Sequence, residues 1–570
     1  MSNLLERPVP EDAQRALCAA GVHPVLARVF AARGVQTPDA LDTGLRGLLA
    51  PDGLRDIEAA ARLLADAIDT QAPILVVADY DCDGATACAV AVRGLRMMGA
   101  RVDYLVPNRF EHGYGLGPAI VDLARTHPRL GPPRLIVTVD NGIASVEGVD
   151  HARRLGIDVL VTDHHLPGDT LPQAAAIVDP NRGDCGFQSK HLAGVGVMFY
   201  VLLALRAQLR AQGRFAAGGE PPLQRLLDLV ALGTVADLVR LDRNNRLLVG
   251  AGLKRIRAGQ ACPGIQALFA AAGRDARSAG CGDLGFALGP RINAAGRLSD
   301  ITVGIECLLN DDPEQAATLA AQLDGINRER RAIEADMREQ ALADAGTPDP
   351  DRRTLVVCRD GWHEGVIGLV ASRLKELHHR PTIAFASASG EAGVLRGSGR
   401  SIPGVHLRDT LDLVSKRHPT MIARFGGHAM AAGLSLRAEA LADFTEAFEQ
   451  AIAESADPAC FERNLLTDGP LAPEDFVLEL AEAIDRGVWG QGFPAPLFSD
   501  VFEVTGQRLL KERHLKLELR RAGQRLSAIA FGRTEPLPPR ARIAYRLERN
   551  EFRGLVELQL VVEAAEPAQN

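Results

Sequence analysis

Three carboxylates, Asp79, Asp81 and Asp83, stand at alternate positions in VADYDCDGAT (77 to 86), directly behind the apolar run ILVV. One or two Asp beside a Gly is ordinary turn chemistry, with each side chain facing water. Three in so short a span behind a buried strand repel one another unless a cation lies among them, which points to a divalent metal site. The theme returns further along. LIVTVDNG delivers Asp140 just past its apolar run, VLVTDHHLP delivers Asp163, His164 and His165, and VDYLVPNR delivers Asn108 and Arg109. Each motif alone is weak, since Asp-Asn-Gly is commonly a turn and a His pair commonly surface or a helix cap. Together they place acidic and imidazole groups behind successive apolar strands. In a parallel sheet the carboxyl ends of the strands share one edge, where ligands bind, so these groups can converge.

Carboxylate oxygen with a minority of imidazole and no thiolate suits Mn²⁺ or Mg²⁺ better than a zinc site rich in Cys and His. The number of carboxylates suggests about two ions, the recurring arrangement for binding a phosphate, activating a water and stabilising both attacking and leaving oxygens. Phosphoester hydrolysis is the reaction class this chemistry favours.

The elements that must position these groups are legible in the hydrophobic pattern. The runs ILVVA (74 to 78), VDYLVP (102 to 107), LIVTV (135 to 139) and DVLVT (158 to 162) alternate with helical segments, as in a parallel sheet covered on both faces. A helix-rich stretch including LLDLVALGTVADLV follows. Residues 311 to 345, charged throughout and without proline after Pro313, read as one long exposed helix joining two parts of the chain. A second α/β unit begins at TLVVC (354 to 358) and ends near HAMAAGLSL (428 to 436). From about 467 onward HLKLELR, RLSAIAF, ARIAYRLE and LVELQLVVE alternate with period two, the mark of a small antiparallel barrel or sandwich.

At 570 residues the chain suggests roughly three or four domains. No run of 18 or more apolar residues and no secretory signal stand out, and nine scattered cysteines without a C-x-x-C pair argue against a disulfide framework, so a reducing cytoplasm and no membrane are expected. The net charge of −8 does not advertise nucleic-acid binding, but its distribution does. Between Arg508 and Arg553 stand 13 Lys or Arg against 5 acidic residues, which suggests a polyanion-binding face.

The segments DYDCDGAT, VPNRFEHGYGL, TVDNG, TDHH and LGTVADLV, in that order and spacing, resemble the DHH phosphoesterase superfamily, and within it the bacterial single-stranded-DNA-specific exonucleases. GPRINAAGRLSD, WHEGVIGLVASRL, RGSGRS, FGGHAMAAG and GVWGQGFPAPLF extend the likeness over about residues 20 to 565. The resemblance implies an α/β chain in five parts. These are an N-terminal helical segment (1 to 60), a DHH-type parallel-sheet domain (61 to 310), a long connecting helix (311 to 345), a second α/β DHH-associated domain (346 to 460) and a C-terminal OB-like β-barrel that binds nucleic acid (461 to 570).

Carried over by position, the metal ligands fall on Asp81, Asp83, Asp140, His164 and Asp237. His165 and Asp163 join the catalytic group, with Asp79 orienting its loop. Substrate contacts fall on Asn108, Arg109, Arg291, Asn293, Ser398, Arg400, Ser401, Gly426, Gly427 and His428. Trp362 and His363 either line the cleft or pack beside it, and Tyr545 and Phe552 are candidates for base stacking in the barrel. Two departures stand out: Val77 occupies a position where some relatives carry His, and Cys82 replaces the usual Ala between two of the acids.

The activity implied is a Mn²⁺- or Mg²⁺-dependent exonuclease degrading single-stranded DNA from the 5′ end to mononucleotides in repair and recombination. A single-strand-binding protein and a helicase are implied partners. The competing readings are a DHH phosphodiesterase on oligoribonucleotides, cyclic dinucleotides or pyrophosphate, and a non-catalytic DNA-binding scaffold that has lost its ligands. The complete acidic and His set disfavours the scaffold.

Overall fold

The computed structural model describes residues 3–107, 115–216, 218–346, 349, 351–552 and 554–568. The chain begins with a short strand, β1 (Asn3–Glu6), rather than with helix alone, followed by helices Glu11–Ala19 and Pro24–Ala31. A four-residue strand whose partner lies more than 450 residues away leaves no local period to detect. That partner, reached later in the chain, pairs with it in parallel register, Asn3 opposite Asn464.

The first sheet contains β2 (Ile74–Ala78), β3 (Val102–Leu105), β4 (Leu135–Val139), β5 (Asp158–Thr162) and β6 (Ala176–Val178) in the order β3-β2-β4-β5-β6. All neighbours are parallel. Every residue of β2 and β4 is buried, which is why they read as unbroken apolar runs rather than alternating ones. The order reverses at β2, so its carboxyl end and that of β4 flank a topological switch point, the place where open α/β sheets bind ligands. Helix Cys82–Met97, rich in Ala and buried on nearly all sides, follows β2 immediately. Helix Gly194–Ala211 is long and apolar enough to cross a membrane by length and composition. Here it lies in the core against helices Ile57–Asp69 and Cys82–Met97.

Helix Pro313–Ala345 spans 33 residues, with the Asp312 side chain accepting from Glu314 N. The expectation that it is exposed throughout is corrected. Ala316, Ala320, Leu323, Asn327, Arg330, Glu334, Met337 and Ala341 form one buried stripe, spaced alternately by four and three residues. Its polar members disguised the stripe in sequence. Arg330 bonds Asn327 and Glu334, and Arg373 of the second α/β unit reaches the same Glu334.

The second sheet has the order β10-β11-β9-β8-β7, from β7 (Leu355–Cys358), β8 (Thr382–Ser387), β9 (Val394–Arg400), β10 (Ile422–Gly427) and β11 (Ala431–Arg437). Only β7 and β8 are parallel neighbours. Its core, around Phe385, Phe444 and Phe448, is separate from the main one. After β12 (Asn464–Thr467), the partner of β1, comes a closed barrel. It contains β13 (Phe498–Leu510), β14 (His514–Arg521), β15 (Gln524–Ala530), β16 (Arg540–Phe552) and β17 (Leu555–Pro567) in the order β13-β14-β15-β17-β16. Its interior is continuous with the core of the first sheet's domain. Arg33 and Asp468, whose side chains are both almost fully buried, fasten the N-terminal helices to the segment that leads into the barrel through paired bonds of 2.7 and 2.9 Å. Tyr545 does not stack on a ligand: it is wholly buried in the barrel and donates to Asp500 at 2.6 Å. The side chain of Phe552 lies outside the described residues.

Candidate metal centre

The acidic loop after β2 folds by local rules. Asp81 is the N-cap of helix Cys82–Met97 and accepts from Gly84 N at 3.0 Å, while Asp79 accepts from Tyr80 N at 2.8 Å. The fully buried Asp83 carboxylate accepts from Gly194 N (2.6 Å) and Val195 N (3.0 Å), at the positive end of helix Gly194–Ala211. Asp140 follows β4 with φ of 61°, an uncommon left-handed conformation for a residue other than glycine, which turns its carboxylate into the same space. Asp237 caps the C-terminal end of helix Leu227–Ala236. Two glycines make this crowding feasible. A Cβ on Gly194 would lie 2.6 Å from the Asp140 Cβ, and one on Gly233 would lie 2.8 Å from Asp83 Oδ1.

His164 Nε2 joins these elements. It lies 3.0 Å from Asp140 Oδ1, 3.5 Å from Asp237 Oδ2 and 4.0 Å from Asp83 Oδ2, yet it is buried and makes no hydrogen bond. A buried ring nitrogen aimed at three carboxylates without bonding any of them is arranged as a ligand rather than as a salt-bridge partner. Potential ligand atoms fall into three overlapping groups: Asp140 with His164 and His165, Asp83 with His164 and Asp237, and Asp79 with Asp81 and Asp140. No Lys or Arg ion pair neutralises Asp81, Asp83 or Asp237 among the described residues. In the metal-free protein burial and mutual repulsion push Asp79, Asp83, Asp140 and Asp237 toward their protonated forms. Burial, then Asp81, pushes Asp79 up to about 8 and Asp83 up to about 7. Burial, then Asp83, drives Asp140 and Asp237 well above the usual range. Burial, then His165, lowers His164 to about 4, so its imidazole is neutral and able to coordinate. The set fits divalent cations bound through oxygen with one imidazole.

Asp163 does something else. Its carboxylate accepts from the backbone of Ile143, His164 and His165 and from His165 Nδ1. It fastens the tandem-His loop and is absent from the groups of potential ligand atoms. Burial alone would raise Asp163, but the bond from His165 holds it below the ordinary value. Burial likewise opposes the charge on His165, and the bond to Asp163 overcomes this and raises it to about 9. Sequence reasoning missed Asn181, whose side-chain amide donates to the His164 carbonyl at 2.5 Å from the turn after β6. Only its place directly behind another short apolar run signalled it.

The second α/β unit faces this centre across a cleft. His428 stands 6.1 Å from His165, ring to ring, and with Gly426, Gly427 and Arg408 lines a cavity of about 920 Å³ that also includes Asp163 and His165. A second cavity of about 460 Å³ contains Asp79, Asp81, Asn293, Arg297, Arg396, Ser398 and Arg400. Asn293 also accepts from Cys82 N at 2.7 Å, pinning the acidic loop. Two expected substrate contacts are placed otherwise. Arg291 is buried and bonded to Asp324 and the Ala287 carbonyl. Ser401 is fully buried and donates to the Val405 carbonyl, because the strand alternation that turns Ser398 and Arg400 toward the cavity turns Ser401 inward. Trp362 packs, with Nε1 donating to Gln340, and His363 accepts from Gly365 N. Asn108 and Arg109 lie outside the described residues.

A parallel sheet with acidic and imidazole groups at its switch point, facing a Gly-rich second domain, defines a DHH-type phosphoesterase. The family models agree: "DHH family, N-terminal domain" matches residues 73–234, "DHHA1 domain" 352–454 and "RecJ OB domain" 467–564. The chain is 48% identical over 575 residues to the single-stranded-DNA-specific exonuclease RecJ of Escherichia coli, covering 98% of each. It is 32% identical to the Bacillus subtilis RecJ, covering 98% of this chain and 70% of that one. The crystal structure of Thermus thermophilus RecJ in complex with Mn²⁺ superposes with a TM-score of 0.83 at 30% identity, over all of this chain and 80% of that one. The corresponding Mg²⁺ complex gives 0.78. The chain belongs to the RecJ family.

Proposed function

We propose that this protein hydrolyses single-stranded DNA from its 5′ end to mononucleotides, with Asp81, Asp83, Asp140, His164 and Asp237 holding about two Mn²⁺ or Mg²⁺ ions. The observation that carries the reading is His164 Nε2, buried, unbonded and facing Asp140, Asp237 and Asp83 at the mouth of a two-domain cleft. Similarity over nearly the full length to exonucleases named for single-stranded DNA supplies the substrate class.

Bound there, divalent ions supply positive charge to the phosphate and an activated water. The chain's own residues do the rest. Asp163 holds His165 protonated, so an imidazolium faces the cleft where the scissile phosphate lies and can donate to it. Ser398, Arg400 and Arg396 furnish the smaller cavity with hydrogen-bond donors and positive charge suited to a terminal phosphate, which carries more charge than an internal one. Gly426 and Gly427 allow the strand's backbone close to the wall bearing His428. Arg508, Lys516 and Arg525 line a groove of about 550 Å³ on the barrel, suited to the phosphates of an incoming strand. The reading includes action in repair and recombination, with a helicase and a single-strand-binding protein as partners. It also includes division of the chain near residues 60, 310, 345 and 460.

Digestion of an oligonucleotide labelled at either end, single-stranded or in blunt duplex, tests the reading. Mononucleotide release from the 5′ label on the single strand alone is expected. Release from the 3′ label first, or equal attack on duplex, contradicts it.

A further inference from the structure

Beside the metal centre, two adjacent segments break local rules in the same direction. Leu238, immediately after Asp237, is left-handed with φ of 58° and is 65% exposed. A leucine held in that conformation without burying its side chain gains nothing in packing for the strain, and such strain gathers at functional sites. Against the end of the same helix lies a π-helical turn, Leu284–Leu288, a local geometry also common at functional sites. A Cβ on Gly285 would sit 3.3 Å from Val235 Cγ1, and one on Gly289 would sit 3.1 Å from Ala236 Cβ, so the two segments are in van der Waals contact. The turn presents Phe286 at 78% exposure, the highest of any large apolar side chain among the described residues. Arg291, rather than meeting substrate, holds this turn by donating to the Ala287 carbonyl at 2.6 Å while paired with Asp324 of the connecting helix.

The position of the step says what covers it. On one side it adjoins Asp237. On the other, Leu241 N donates to the Gln491 carbonyl at 2.7 Å, joining this segment to the loop that leads into the barrel. On the exonuclease reading both flanks would take phosphate, the barrel through its cations and the centre through its ions. An apolar face between them suits the other half of a nucleotide.

Resting on the exonuclease reading, we infer that Phe286 and Leu238 form a base-stacking step on which a nucleobase of the single strand is seated between the barrel and the metal centre. Stacking is indifferent to sequence because every base has a π face, so the step would hold the strand's register without selecting bases.

The test uses full-length protein and oligonucleotides carrying one abasic site at successive positions from the 5′ end. Wild type, F286A, F286W and L238A are compared for KM and kcat, with thermal denaturation and sedimentation of each free protein. Wild type is expected to show a narrow window of positions where loss of the base raises KM by about tenfold, the scale of one base–aromatic stack. F286A should raise KM for the intact strand by a similar factor and flatten that window. F286W should restore both, and L238A should flatten the window in part. An F286A protein with the wild-type KM and abasic profile overturns the inference. So does an F286A protein whose only change is in sedimentation, which would assign the step to contact with another chain. Failure of wild type to digest the intact strand would instead overturn the exonuclease reading, whatever Phe286 does.

Discussion

His165 Nδ1 lies 2.7 Å from Asp163 Oδ1, and that same oxygen accepts the backbone N–H groups of His164 at 2.7 Å and His165 at 3.2 Å. One carboxylate oxygen thus sets the main chain of the proposed ligand His164 and the ring of its neighbour. Asp163 shapes the site without entering the groups of potential ligand atoms, so its loss should disorient rather than dismantle the centre.

Asp163→Asn removes the charge that sustains the His165 proton and weakens the loop's anchor. Partners of this kind typically cost 10- to 100-fold in affinity or activity, so turnover at saturating Mn²⁺ should fall by roughly that factor. Steady-state kinetics over a Mn²⁺ titration checks it. Near-normal turnover would remove Asp163 from the machinery.

Stability without metal should fall as pH rises. Asp79 and Asp83 stand near 8 and 7 in the folded, metal-free protein, against an ordinary 3.8. Their protonated forms favour the fold, so that contribution is complete below the unfolded value and is lost as pH climbs through 7 and 8. Melting in EDTA should therefore drop in temperature between pH 6 and 8.5. The rise on adding Mg²⁺ should grow over the same window, since cations take the place of the protons. A Mg²⁺ effect independent of pH would contradict the protonated cluster.

The barrel groove should account for part of the salt dependence of binding. Replacing Arg508, Lys516 and Arg525 together with Ala removes three cations from one groove. On single strands each lost phosphate contact lowers the slope of log K against log salt by about 0.7, so the slope should flatten by about 2. Fluorescence anisotropy over a salt series measures it. An unchanged slope would move the strand's path off this face.

Much of the centre was legible because the carboxyl ends of apolar strands are marked in sequence by an abrupt change of residue type. Asp81, Asp83, Asp140 and His164 all stand just past such a change, and the fold brings them together. What was illegible is contact between distant segments. Ser401 misleads locally, its hydroxyl turning back to the Val405 carbonyl four residues on, whereas nothing near Arg291 announces Asp324, so both read as substrate contacts on motif alone. Tyr545 was ambiguous for the same reason, since an aromatic in an alternating strand serves either face and only Asp500 decides which. The continuity of the barrel interior with the first domain's core was equally hidden, and it makes the barrel a poor candidate for clean removal by truncation.

The central claim is that one cluster of carboxylates and His164 holds the ions that drive hydrolysis. Calorimetric titration of Mn²⁺ into metal-free wild type and Asp140→Asn, with turnover followed at each addition, tests it most directly. Wild type should bind about two ions per chain, with hydrolysis appearing as the sites fill, while Asp140→Asn should bind fewer and lose several orders of magnitude in turnover. Hydrolysis that persists in EDTA, or a folded Asp140→Asn protein that binds and turns over as wild type does, would contradict it.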